Sequence, residues 1–159
     1  MFDLLWKSVA IGIGATILMD IWVFILASLK VTGPVNWAPV GRWFWHLREG
    51  KVFHDDISKA APYRHELALG WIGHYVVGIA YGILMGLLGG AAWFAAPSFL
   101  PAWAVGLVTV GFGWFLLQPG LGLGWAASKL PDASRIRALN LATHTVFGFG
   151  LYATALLIR

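Results

Sequence analysis

The chain has 159 residues, of which 59% are hydrophobic and only 11% charged, with ten tryptophans, no cysteine and a formal charge of +4. A soluble domain carries roughly 25% charged residues, so this chain could not cover a water-facing surface and reads as an integral membrane protein of one domain. The missing cysteine removes disulfides, thiolate metal sites and cysteine nucleophiles together, and the positive charge reads as a topology signal, with no nucleic-acid partner.

The first apolar run, about 5–29, is too long for the core of a cleavable signal peptide and long enough to span a bilayer, so it is retained as the first membrane helix. It contains one acid, Asp20, in the stretch GATILMDIWVF. The connection that follows, Lys30 to His65, is too long for a bare loop. Within it PVGRWFWHLREG places Val40, Trp43, Phe44 and Leu47 at helical spacing, with Arg42, His46 and Glu49 on the other side. That pattern predicts an amphipathic helix over about 39–49, lying in the membrane interface with its aromatics toward lipid. A second short helix is expected to start at Asp55 or Asp56 and to end before Pro62.

Three further spans are expected at about 67–89, 101–118 and 139–158, each close to the length a ~30 Å hydrocarbon core requires. Pro97 and Pro101 punctuate the short connection between the second and third, Pro119 is expected to stop the third, and Asp132 is a candidate cap for the fourth. The fold class is therefore all-α: an integral membrane four-helix bundle with an interfacial helix between its first two spans. Nine of the eleven Lys and Arg lie in the two long connections, and only Lys7 and Arg159 lie elsewhere. That bias puts both long connections in the cytoplasm and both termini outside.

The buried polar groups share a depth. At ~1.5 Å per residue, Asp20 lies about 13 Å from the cytoplasmic end of its helix, His74 about 10 Å and His144 about 8 Å, while Gln118 closes the third span at that face. Small residues recur every four positions beside them: Ser8, Gly12, Thr16 and Asp20; Gly70, His74, Gly78, Gly82 and Gly86; Asn140, His144, Gly148 and Tyr152. Such stripes are packing faces of membrane helices and could also join copies of the chain into a homo-oligomer, so Asp20, His74 and His144 are expected to point inward. Interhelical hydrogen bonding alone explains any one of them. Four groups at one depth point to a cytoplasm-facing polar site, because ionisable residues inside a membrane usually serve function.

More candidates sit at the rim. His46, His54, His65 and Glu66 join His74 and His144 as candidate ligands for a divalent zinc, iron, manganese or copper ion, since imidazole and carboxylate without thiol suit these metals. No HExxH occurs, and His54 followed by Asp55 and Asp56 also reads as a helix start with acidic caps. The candidate catalytic groups are Glu66, His74 and Asp20, and the candidate ligand-binding groups are Gln118, Arg42 and His144. GLGLG at 120–124 could cradle an anion on its backbone N–H groups or simply make a tight re-entry after Pro119. Walker, nucleophile-elbow and dinucleotide motifs are absent from the sequence.

The segments GATILMD, VGRWFWH, GKVFHDDI, HELALGWIGHY, LQPGLGLGWAASKLP and HTVFGFGLY resemble those of a family of small bacterial inner-membrane proteins known only as domain of unknown function 2938. They touch every span. The resemblance implies a multi-pass bacterial inner-membrane location and implies no activity; carried over by position, its pattern includes Asp20, Arg42, His46, His54, Glu66, His74, Gln118 and His144.

Three functions fit this sequence. The first is a site for a metal ion or small polar ligand, with metal-dependent chemistry on an amphiphilic, lipid-like substrate if it is an enzyme. The second is proton or ion translocation through Asp20, His74 and His144. The third is an accessory subunit whose glycine faces bind a partner's helices.

Overall fold

The computed structural model describes residues 2–159 and is all-α, with no strand among them. Its helices are α1 (Phe2–Ser28), α2 (Ala38–Leu47), α3 (Glu66–Ala95), α4 (Phe99–Gly120) and α5 (Ala133–Ile158). α1, α3, α4 and α5 are each long and apolar enough to cross a membrane. They overlap the four expected runs: α1 stops one residue short of Leu29, α3 continues to Ala95 past a non-helical Gly90 (φ 59°), and α5 starts six residues early at Ala133.

α4 departs from expectation at its end. Pro119 does not stop it: the helix continues one turn, through Gln118–Gly120, after a π-helical stretch at Gly113–Leu117. Proline lacks the N–H that would bond four residues back and its ring crowds that carbonyl, so widening the preceding turn lets the chain pass Pro119 without breaking.

The chain divides into two compact units. One comprises the segment ending at Pro34, Tyr75–Thr109 and Leu141–Arg159. Its core is Ile11, Ala15, Met85, Phe147, Leu151 and their neighbours, with Leu26 also buried. The small-residue stripes face each other here. A Cβ on Gly12 would stand 2.6 Å from the Gly78 carbonyl, one on Gly82 2.7 Å from the Gly12 Cα, and one on Gly106 2.8 Å from the Gly148 Cα. Backbones in this contact leave no room for a methyl group, and dispersion between them supplies much of what holds membrane helices together.

The other unit comprises Val35–His74 and Val110–Asn140. Its core is Trp43, Ile57 and Leu121, with Val40, Phe44, Leu47 and Val52 packed on it. The helix expected at 39–49 is present as α2, and its apolar face packs on protein: Trp43 is buried, its indole N–H donates to the Val52 carbonyl at 2.7 Å, and Val40, Phe44 and Leu47 are half-buried against the same core. A buried indole N–H needs an acceptor, and the connection folding over α2 supplies it. The short helix in that connection is a single 3₁₀ turn, Ile57–Lys59, opened by Asp56, whose carboxylate accepts from the Ser58 N–H at 2.9 Å. It ends before Pro62, as expected.

Candidate functional site

The second unit carries the denser polar constellation, and α2 organises it. A Cβ on Gly41 would collide with the Glu66 carbonyl, so only glycine lets α2 lie against the first turn of α3. That approach delivers Arg42 to Glu66. The guanidinium donates through Nε to Glu66 Oε2 at 2.8 Å and through Nη2 to Oε1 at 2.9 Å, and its Nη1 reaches the carbonyls of Ile57, Ser58 and Ala60 at 3.1–3.3 Å. The fork matches a carboxylate on both oxygens, and the Glu66 hydrogen bonds hold the Arg42 pKa above its usual value. Glu66, a candidate base, is thereby committed to an ion pair.

One turn further along α2, His46 Nε2 lies 2.9 Å from the Ala61 carbonyl, and His46 Nδ1 lies 2.9 Å from His54 Nε2. His54 Nδ1 lies 3.0 Å from the carbonyl of Gly120. Carbonyls only accept, so His46 Nε2 and His54 Nδ1 must carry the hydrogens. Both rings then present lone pairs, His46 Nδ1 and His54 Nε2, at one another across 2.9 Å. Two lone pairs at that distance repel unless a cation lies between them. Both rings are buried, 5% and 7% exposed, so water contributes little screening. His46 also occupies the last turn of α2, where helix carbonyls favour positive charge.

Gly120 closes this pocket. Its carbonyl accepts from both the ring and the backbone N–H of His54, and a Cβ there would strike the Trp43 indole nitrogen. The 120–124 glycines therefore make a tight re-entry. Their turn consumes the N–H groups an anion would need: Leu121 donates to Leu117, Gly122 to Pro119 and Leu123 to Gln118.

The remaining sequence candidates are distributed. His74 stacks on Trp37 at 4.0 Å between ring centres and meets Trp71 edge-on. Exposed His65 lies edge-on to Tyr63. The Gln118 side-chain N–H and the Trp114 indole N–H both donate to Asn140 Oδ1 at 3.0 Å. Turning either amide over would set like atoms against each other, so Gln118 Oε1 is left buried without a hydrogen-bond partner. In the first unit, Asp20 accepts from the Tyr75 hydroxyl at 2.9 Å, and His144 Nδ1 meets the Gly106 carbonyl at 3.0 Å and Thr109 Oγ1 at 3.2 Å. No group of three or more His, Asp or Glu among the described residues is placed to hold a metal ion. The six candidate ligands thus reduce to one close pair, His46 with His54.

Tyr75, Asn140, Trp114 and Thr109 are partners that the sequence did not mark as site residues. A signal for Tyr75 was available, because a carboxylate in an apolar helix needs a donor and Tyr75 lies beside His74.

One family profile, described as protein of unknown function (DUF2938), matches residues 9–158. No curated protein and no solved structure matches the chain.

Proposed function

We propose, for a chain that belongs to the DUF2938 family of proteins of unknown function, that it is a bacterial inner-membrane protein binding one divalent transition-metal ion between His46 Nδ1 and His54 Nε2. What supports the reading is the facing pair of lone pairs, each fixed by the other ring nitrogen donating to a backbone carbonyl. That is the outer-shell arrangement that orients histidine ligands. Zinc or copper(II) suits two imidazoles without thiolate. With zinc–nitrogen bonds of 2.0–2.1 Å and a tetrahedral angle the nitrogens would stand about 3.3 Å apart, so the rings need open by only about 0.4 Å. Two protein donors leave positions for water or a small polar ligand, and the proximity of Arg42 is offset by its pairing with Glu66.

The charge bias favours the cytoplasmic side for the two long connections, including the one that carries His46 and His54, so the ion would be taken from that side. Cysteines introduced at Ser58 and Ala126 should resist an impermeant thiol reagent in intact cells; labelling at both would reverse the orientation.

Elemental analysis of protein purified in detergent without chelator tests the metal. One equivalent of zinc or copper per chain is expected in the parent and in His65→Ala, and less than a tenth of that in His54→Gln. Gel filtration and helix content check that His54→Gln folds. Metal that persists in a folded His54→Gln, or is absent from the parent after incubation with zinc and copper, would reduce the pair to a hydrogen bond sharing a proton.

A further inference from the structure

The first unit holds a cavity of about 280 Å³ lined by Asp3, Leu4, Lys7, Phe94, Ala95 and Arg159. Lys7 and Arg159 are the two basic residues that lie outside the long connections, where nine of the eleven are found. Basic residues are disfavoured on the outer side of a bacterial inner membrane, so both outliers lining one cavity calls for a reason. Lys7 is mostly covered, with 19% of its side chain exposed, and it pairs with Asp3 at 3.0 Å. The Trp6 indole N–H also donates to Asp3, at 2.9 Å. Arg159 has no carboxylate within ion-pair distance among the described residues. Its charged side chains are thus two cations against one acid, set in an otherwise apolar wall.

The flanking sequence supplies the rest of an amphiphile's surface. Phe2 and Leu157 stand within two residues of Asp3 and Arg159, and Leu87 and Leu88 lie three to four residues before Ala91, which also lines the cavity; all four are more than two-thirds exposed. We infer that this cavity receives the phosphate headgroup of an anionic membrane lipid, with Lys7 and Arg159 holding the phosphate and the acyl chains lying along these apolar side chains. A basic pocket between membrane helices beside acyl-accessible surface is the general form of headgroup recognition. Asp3 limits the affinity by competing for Lys7. Where a free phosphate could supply the same charge, it lacks the chains.

Native mass spectrometry of the full chain released from nanodiscs of equal phosphatidylglycerol and phosphatidylcholine tests the inference. The parent should retain phosphatidylglycerol over phosphatidylcholine. A Lys7→Gln, Arg159→Gln double variant should retain about thirtyfold less, as removal of two phosphate contacts implies. Lys129→Gln, in a long connection, should match the parent. Asp3→Asn frees Lys7 and should raise retention about threefold; it decides the matter if the double variant fails to fold. Equal retention of the two lipids, retention unchanged in the folded double variant, no gain in Asp3→Asn, or displacement by millimolar inorganic phosphate would each overturn a lipid headgroup as the occupant.

Discussion

The two units are built on opposite solutions to the same problem. The unit containing α1 packs glycine against backbone and buries Ile11, Ala15 and Leu151; Thr16 and Thr109 are answered within a turn, donating to the Gly12 and Gly106 carbonyls, and Asp20 and His144 reach across sequence to Tyr75 and Gly106. The unit containing α2 is held by side chains that reach across sequence, Arg42 to Glu66 and to three carbonyls, His54 to Gly120 and Arg137 to Ala126. The first needs shape and tolerates few atoms more. The second needs specific donors and tolerates few charges fewer. Directional polar contacts are also what a binding site requires, and they are denser in the second unit, which carries the candidate site.

The comparison breaks first at Arg42. Arg42→Ala strands a mostly buried Glu66 and frees three carbonyls, and loss of one partner of such a pair costs roughly 3 kcal/mol or more. Unfolding in detergent should show that loss, with Arg42→Lys recovering part of it because a point charge cannot reproduce the fork. A loss under about 0.5 kcal/mol would mean that the pair behaves like an exposed one.

The glycine faces come next. Gly82→Val should destabilise the first unit by roughly 1–3 kcal/mol through overpacking, whereas Gly33→Ala, whose added Cβ would meet nothing within 4 Å, should be silent in the same melt. Equal effects at the two positions would mean that close backbone approach is not what holds the helices.

Tyr75→Phe removes one donor to Asp20 and should cost about 1 kcal/mol, the scale of hydrogen bonds between membrane helices. Asp20→Asn keeps an acceptor for Tyr75 and should cost less. An Asn variant as damaging as Asp20→Ala would show that the charge matters beyond this hydrogen bond.

The smallest effect is pH-dependent. Hydrogen bonds from Ser58 lower the Asp56 pKa below its ordinary value. A carboxylate depressed in the folded state contributes stability above its unfolded pKa and loses it as pH falls through the folded one. Hydrogen exchange at the Ser58 amide should therefore be slow at neutral pH and should quicken, after correction for intrinsic rates, below about pH 4. Asp56→Asn should flatten that dependence.

Much of the fold was legible because a long apolar run admits few structures in lipid. α1, α3, α4 and α5 follow from run length alone, and the stripes through Gly12 and Gly82 told which faces meet. The end of α4 was misread because the π turn that accommodates Pro119 has no local signature. The site was legible as a list and not as an arrangement. His46 and His54 stand eight residues apart with a helix end between them, and what aims them at each other is the fold of 51–61 and the carbonyl of Gly120, sixty-six residues from His54. The pairing of Arg42 with Glu66, twenty-four residues away, was hidden for the same reason. Periodicity placed Trp43 correctly on an apolar face and could not say whether lipid or protein would cover it.

The claim that carries the account is that a metal ion, and not a shared proton, lies between His46 and His54. X-ray absorption at the zinc edge of the zinc-loaded protein counts the imidazoles around the ion directly. Two histidine nitrogens at about 2.0 Å, falling to one or none in a folded His54→Gln, is the predicted result. A spectrum of oxygen donors alone, or one unchanged by His54→Gln, would contradict it.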